Sequence, residues 1–123
     1  MEIGFRLRTY SIDDIKVMVN TLVSLDVNQL KRARLPKIYE SGVRYRREGT
    51  GKEQWQTIEQ MLETRYGDCE DLAAWRCAEL RMLGIRAVPW FSKRGKTWHV
   101  YVRYPNGKTE DPSERLGMKN PYK

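Results

Sequence analysis

The chain has 123 residues, of which 40% are hydrophobic and 32% charged, and its formal net charge is +7. This composition predicts one folded domain with a single core and excludes a disordered tail. No apolar run is long enough to span a membrane, and the N-terminal residues lack the pattern of a signal peptide, so we expect a cytoplasmic protein.

Two cysteines, Cys69 and Cys77, lie eight residues apart in a segment with strong helical character. Two helical turns separate their Cα atoms by roughly 12 Å, whereas a disulfide needs less than about 7 Å. We therefore expect two free thiols and a reducing compartment. The spacing of these thiols and the single histidine does not match a zinc site.

The first half of the chain predicts mainly helices. Residues 3–10 alternate like a short strand, and Ser11 with Asp14 begins a helix whose apolar positions recur up to Val23. Asp26 is expected to cap a second short helix that ends at Leu30. Residues 37–53 are predicted to be a loop with a brief extended piece at Val43 and Tyr45.

A helix from Gln54 or Trp55 to Tyr66 is predicted next, followed by a break at Gly67. The helix over residues 68–83 is the strongest expectation, because Asp68 and Asp71 have the spacing of a capping box and Gly84 supplies a stop signal. This helix is apolar over much of its girth, which predicts a central and largely buried element.

Three strands are predicted after Gly84, over residues 85–91, 98–104 and 109–111, with a two-residue turn centred on Asn106-Gly107 between the last two. The predicted fold class is α+β, with a central helix packed on a short antiparallel sheet and extra N-terminal helices. We expect one domain, in which residues 1–53 form a helical extension and residues 54–118 form the core.

Cys69 is expected in the first turn of the central helix, where free N–H groups and the helix dipole stabilise an anion. A thiol in this place is predicted to have a lowered pKa and to be a good nucleophile. The competing interpretation is a buried structural cysteine, the more common role of this residue type. Cys77, two turns deeper on an apolar stripe, is expected to be structural.

A thiolate nucleophile needs a base and a group that orients the base. His99 is the single histidine and lies on a predicted strand, and Asp111 follows the next turn. The two-residue turn pairs position 111 near 102, which places His99 about one diagonal step away. The competing interpretations are a hydrogen-bonded strand histidine and an aspartate that ends a strand before Pro112.

Four short motifs resemble the transglutaminase-like superfamily, and they are closest to those of bacterial transglutaminase-like cysteine proteinases. They are Gly67-Asp68-Cys69-Glu70-Asp71, Leu83-Gly84-Ile85-Arg86-Ala87, Trp98-His99-Val100-Tyr101-Val102 and Glu110-Asp111-Pro112-Ser113. The resemblance covers about residues 54–118 and implies a papain/transglutaminase-like fold. It also implies Cys69 as nucleophile, His99 as base and Asp111 as the orienting group.

The same resemblance extends to less certain elements of the site. It implies that the backbone N–H of Cys69 and an upstream side chain form the oxyanion hole, and the candidates for that side chain are Trp55, Gln54 and Gln56. In the periplasmic adhesin-cleaving relatives, carboxylates that flank the cysteine bind calcium, and Asp68 and Glu70 match those positions. Helix capping explains both carboxylates without a metal, so no cofactor is expected, and calcium is the alternative.

The sequence thus predicts a thiol hydrolase or acyltransferase that acts on amide or isopeptide bonds of a protein or peptide substrate. A likeness to small bacteriophage and prophage proteins supports an alternative, a phage assembly or host-interaction protein that uses the fold as a scaffold, located in the virion or host cytoplasm. A second alternative is a nucleic-acid binder, because basic residues cluster at 31–37, 44–47 and 93–96. No nucleic-acid motif accompanies these clusters.

Overall fold

A computed structural model describes residues 3–5, 11–47, 53–95 and 97–119 of the chain, without the side chains of residues 3–5, 53 and 54. The helices are α1 (Ile12–Arg32), α2 (Ile58–Thr64), α3 (Cys69–Met82) and α4 (Pro112–Arg115), with a 3₁₀ turn at Ile38–Glu40. The strands are β1 (Ile3–Phe5), β2 (Arg44–Tyr45), β3 (Glu53–Trp55), β4 (Tyr66–Gly67), β5 (Val88–Arg94), β6 (Thr97–Arg103) and β7 (Thr109–Glu110).

The described strands form three small sheets. Strands β5, β6 and β7 make an antiparallel sheet in chain order, β1 pairs with β3 antiparallel, and β2 pairs with β4 in parallel. The α+β class is confirmed, as is the antiparallel meander that follows the central helix. The remainder of the strand predicted over residues 3–10 lies outside the described residues.

Helix α3 is the centre of the fold, as its sequence predicts. Asp68 and Asp71 form the capping box, and ten residues of the helix are buried. One side of α3 packs against α1 and the β5–β6 hairpin, and another packs against α2 and the segment that holds Ile38 and Val43. Cys77 is a fully buried free thiol within this core.

The prediction of two N-terminal helices separated at Asp26 is wrong, because α1 continues from Ile12 to Arg32. Asp26 is fully buried and does not cap α1; its Oδ1 accepts a hydrogen bond of 3.0 Å from the backbone N–H of Ile58, at the start of α2. Gln29 accepts from the N–H of Glu59 in the same way. The two side chains cap α2 from a distant part of the sequence, a role that local spacing does not reveal.

The predicted helix over residues 54–66 is shorter in the structure. Residues 53–55 form β3, and Thr57 caps α2 through a capping box with Gln60. After α2 the chain turns at Arg65, which has a φ of +70°, and enters β4. Gly67 has no room for a side chain there, since an added Cβ would lie 2.6 Å from Sδ of Met61.

The β6–β7 turn differs from the predicted two-residue turn. The loop is Pro105-Asn106-Gly107, closed by hydrogen bonds from Gly107 N to Tyr104 O and from Tyr104 N to Lys108 O. A two-residue turn would need Pro105 to donate an N–H to Lys108, which proline cannot do. Proline instead suits the second position of a type I turn, and Gly107, with a φ of +87°, completes the three-residue loop.

Candidate active site

The start of α3 holds Cys69 in the first helical position. The N-cap Asp68 uses Oδ1 to accept a 2.7 Å hydrogen bond from the N–H of Cys69, and Asp71 Oδ2 accepts from the N–H of Asp68 at 3.1 Å. These bonds fix the backbone on both sides of the thiol. The cysteine of the Gly-x-Cys-x-Asp motif therefore lies where the sequence predicts it.

Asp71 has a second role that the capping pattern does not reveal. Its Oδ1 accepts a 2.9 Å hydrogen bond from the backbone N–H of Gln56, so one fully buried carboxylate joins the segment after β3 to the start of α3. The Gln56 side chain donates to the carbonyl of Tyr66 and accepts from Thr64. Gln56 thus contacts the start of α3 through its backbone N–H and the end of α2 through its side chain.

Cys69 is 8% exposed, and its Sγ donates a hydrogen bond of 3.3 Å to Oε2 of Glu70. Burial, followed by the charges of Glu70 and Asp68, raises the pKa of Cys69 well above its ordinary value, although the backbone N–H of Val100 acts in the opposite direction. The prediction of a lowered thiol pKa is therefore wrong. Desolvation and two neighbouring carboxylates outweigh the helix terminus.

Glu70 is 2% exposed, and its Oε1 has no hydrogen-bond partner among the described residues. Burial and the nearby charges of Asp68 and Asp71 raise its pKa well above the ordinary value. Tyr45 is a further neighbour that the sequence analysis missed: burial and the charges of Asp68 and Cys69 raise the pKa of its phenol. The parallel pairing of β2 with β4 brings Tyr45 to this place, and no local signal reveals that pairing.

His99 and Asp111 form a close pair. His99 Nε2 lies 2.7 Å from Asp111 Oδ2, and the imidazole is stacked on Tyr101 with ring centroids 5.9 Å apart. His99 is 6% exposed, so water competes little for this contact. Asp111 also caps α4, a helix absent from the sequence expectations, by accepting from the N–H of Glu114 at 3.4 Å.

The three-residue loop is what makes the His99–Asp111 contact possible. Glu110 pairs with Val102 rather than with Arg103, so the register is shifted by one residue from the predicted one. Side chains alternate between the faces of a sheet. In the observed register Asp111 follows on the face of Tyr101 and His99, whereas the predicted register would have turned it to the other face.

Cys69 and His99 come from elements that pack together, α3 and β6. Val100, the residue after His99, is buried in one cluster with Cys69, and its N–H points at Sγ. The described residues contain no hydrogen bond between Sγ and the imidazole; the thiol is turned to Glu70 instead. Because Nε2 faces Asp111, Nδ1 is the imidazole nitrogen left for the thiol.

The three predicted oxyanion-hole side chains have different outcomes, and that of Gln56 makes its hydrogen bonds at the end of α2. Trp55 is 3% exposed and lies in the same buried cluster as Cys69 and Val100, directly before the Gln56 N–H that Asp71 holds. Its role as a donor remains a prediction. The side chain of Gln54 lies outside the described residues, so its predicted role remains open as well.

The calcium prediction rests on Asp68 and Glu70, and the structure places one oxygen of each with Cys69 Sγ within 4.8 Å of one another. Calcium takes six to eight oxygen ligands. This cluster offers two carboxylates and a sulfur, and Asp68 Oδ1 already accepts from the Cys69 N–H. The described donors therefore fit calcium poorly.

The first two basic clusters lie on the surface. Lys31, Arg32, Arg34 and Lys37 are exposed, as are Arg44, Arg46 and Arg47. Arg32 pairs with Glu59 at 3.5 Å, and Arg46 lies over the ring of Tyr66.

The model of one protein family, the transglutaminase-like superfamily, matches residues 23–105, about two thirds of the chain. The chain belongs to the transglutaminase-like superfamily. This superfamily includes cysteine protease-like members. The match includes Cys69 and His99 and ends before Asp111, whose place in the site rests on its contact with His99.

Comparison with curated proteins and comparison with solved structures each find no match. Among the described residues, none of the helices combines the length and the apolar character needed to cross a bilayer.

Proposed function

We propose that the chain is a thiol hydrolase or acyltransferase that acts on amide or isopeptide bonds of a protein or peptide substrate. The observation that carries the proposal is the 2.7 Å contact between His99 Nε2 and Asp111 Oδ2, made beside a helix-start cysteine whose sulfur faces the N–H of Val100. Membership of the superfamily supports the same chemistry.

In the proposed mechanism, Sγ turns from Glu70 toward the imidazole, and Nδ1 of His99 accepts the thiol proton. The thiolate attacks the carbonyl carbon of the substrate amide, and a C–S bond forms as the carbonyl oxygen becomes an oxyanion. The Cys69 N–H donates to Asp68 Oδ1 in the structure. It cannot donate to Asp68 and to the oxyanion fully at the same time, so we expect it to leave Asp68 when the oxyanion forms.

The second half of the reaction returns the proton. His99 donates it to the leaving nitrogen, the C–N bond breaks, and a thioester remains on Cys69. Water or a second amine then loses a proton to His99 and attacks the thioester, which releases a carboxylate or a new amide and restores the thiol. Asp111 keeps the Nε2 proton in place, which fixes the tautomer that leaves Nδ1 free as a base.

The test uses casein as a general substrate and three readouts: peptide cleavage, ammonia release, and incorporation of a fluorescent primary amine. We expect at least one readout for the wild-type chain and its loss in Cys69→Ala. Cys77→Ala is the matched control, since burial raises the pKa of Cys77 to about 12 and the mechanism does not use it. Activity that survives Cys69→Ala, or disappears only with Cys77, would refute the proposal.

A further inference from the structure

The position of Asp111 depends on a very short strand. Strand β7 has two residues, and its pairing with β6 consists of Val102 with Glu110 and Arg103 with Thr109. So short an edge strand has few backbone hydrogen bonds to hold the residue that follows it. Something besides the sheet has to fix the chain at Asp111.

The side chain of Glu110, the last residue of β7, is held by three other side chains. Glu110 is 9% exposed, and its carboxylate accepts hydrogen bonds from the hydroxyls of Tyr39 and Tyr104 and, at 2.7 Å, from Nε of Arg76 on α3. Burial alone would raise the pKa of Glu110, but the hydrogen bonds from Tyr104, Tyr39 and Arg76 hold it below its ordinary value. Glu110 is therefore an ionised, fully engaged group.

Arg76 is itself held in place on the helix side. Its second nitrogen donates to Oε1 of Glu79 at 3.1 Å, and Oε2 of Glu79 accepts the backbone N–H of Ile38 at 2.8 Å. A guanidinium bonded in this way to two carboxylates keeps a fixed orientation. The hydrogen bonds of Arg76 to Glu79 and Glu110 therefore link the middle of α3 to β7.

Resting on the proposed function, we propose that Glu110 is a positioning residue: its bonds to Arg76, Tyr104 and Tyr39 fix β7 so that Asp111 meets His99. Glu110 and Asp111 are consecutive and point to opposite faces of the sheet. Anchoring one against α3 therefore orients the other toward the imidazole. The cap that Asp111 makes on α4 fixes its other oxygen, so the carboxylate is held from both sides.

The chain has a single histidine, which makes the imidazole easy to observe by NMR. We would record the Nε2 proton and its exchange with solvent in the full-length chain, with Asp111→Ala as the reference for loss of the contact. Asp111 and Tyr101 both contact the imidazole of His99, so the exchange rate of the Nε2 proton reports how well these two side chains are positioned. This signal does not require turnover.

We expect Glu110→Gln to speed exchange of the Nε2 proton about three- to tenfold, since the anchor loses its ion pair with Arg76. The matched control is Glu79→Gln, which removes the same charge from the other side of Arg76 and leaves the three hydrogen bonds of Glu110 in place; it should change exchange clearly less than Glu110→Gln does. Tyr104→Phe removes one donor to Glu110 and should give a smaller change in the same direction.

Unchanged exchange in a folded Glu110→Gln chain, or equal changes in Glu110→Gln and Glu79→Gln, would show that Glu110 only stabilises the fold. Should Glu110→Gln fail to fold, Tyr104→Phe decides the question by the same signal. If casein is not a substrate while exchange behaves as expected, the proposed function fails and the positioning role stands.

Discussion

The two halves of the proposed site are prepared to different degrees. At the start of α3, the thiol is buried beside Glu70 and Asp68, and its pKa is raised well above the ordinary value. Between β6 and β7, His99 is already paired with Asp111 at 2.7 Å. In the proposed mechanism the base is therefore organised in advance, whereas the nucleophile rests as a neutral thiol that gives up its contact with Glu70 before it reacts.

The largest expected effect concerns the base. Asp111→Asn should lower the rate of the casein reaction by roughly 10²- to 10⁴-fold, because an amide can donate to Nε2 and favour the tautomer with a protonated Nδ1. The measurement is the rate of product formation at saturating enzyme, with folding checked by circular dichroism. Glu114→Gln, on the neighbouring helix α4, is the control. A rate within threefold of wild type would remove Asp111 from the mechanism.

The second prediction concerns the reactivity of the Cys69 thiol, which should increase when Glu70 is neutralised. In Glu70→Gln the thiol no longer faces a carboxylate, so alkylation of Cys69 by iodoacetamide should become several-fold faster. The pKa of Glu70 is raised, so below it the carboxyl is protonated and resembles glutamine. The ratio of the two rates should therefore grow as the pH rises through that pKa.

Asp14→Asn is the control for this effect, because Asp14 is an exposed carboxylate in the first turn of α1. Mass spectrometry of the labelled peptide separates Cys69 from Cys77. A ratio that does not change with pH, or slower alkylation in Glu70→Gln, would contradict the electrostatic account of the resting thiol.

The next prediction concerns the stability of the fold and the buried carboxylate of Asp26. Burial raises the pKa of Asp26 well above its ordinary value of 3.8, and Oδ2 has no hydrogen-bond partner among the described residues. The folded state thus holds this proton more tightly than the unfolded state, and stability falls as pH rises from about the unfolded value of 3.8 through the folded pKa.

Asp26→Asn can keep the acceptor for the Ile58 N–H and removes this pH dependence. We expect its free energy of unfolding to exceed that of wild type by about 1–3 kcal/mol above the folded pKa, and by little near pH 4. Urea unfolding at pH 4 and pH 8 measures the difference, with the exposed Asp13→Asn as control. A less stable Asp26→Asn chain at pH 8 would contradict the prediction.

The smallest expected effect lies in the turn that sets the register of Asp111. Gly107 has a φ of +87° and open space around the place of a Cβ, so Gly107→Ala meets backbone strain but no clash. It should cost about 1 kcal/mol in the free energy of unfolding and leave the casein reaction unchanged. A large loss of activity with little loss of stability would show that the register had shifted.

The parts of the fold that local sequence determines were predictable. Helix α3 follows from the spacing of Asp68 and Asp71 and from an apolar surface over most of its girth, and the strands of the meander follow from alternation. Cys69 at the helix start and His99 on β6 were predicted for the same reason. Their catalytic roles stay predictions.

The predictions that were wrong concern features that depend on distant contacts or on the stereochemistry of one residue. Asp26 reads as a local cap, but it caps α2 across 32 residues. Asn106-Gly107 reads as a two-residue turn, but Pro105 cannot close it and the register moves by one residue. The thiol pKa was predicted from the helix terminus alone, because burial and the direction of the Glu70 side chain have no local signature.

The central claim is that His99 activates the thiol of Cys69. Its most direct test is the pH dependence of Cys69 alkylation with and without His99→Ala, where both chains also carry Cys77→Ala so that only one thiol reacts. If His99 is the base for the thiol, wild type should react faster than His99→Ala by at least about tenfold near neutral pH, and the difference should shrink at high pH, where the thiol ionises without help. Superimposable profiles for the two chains would show that His99 does not activate Cys69, and the proposed mechanism would be wrong.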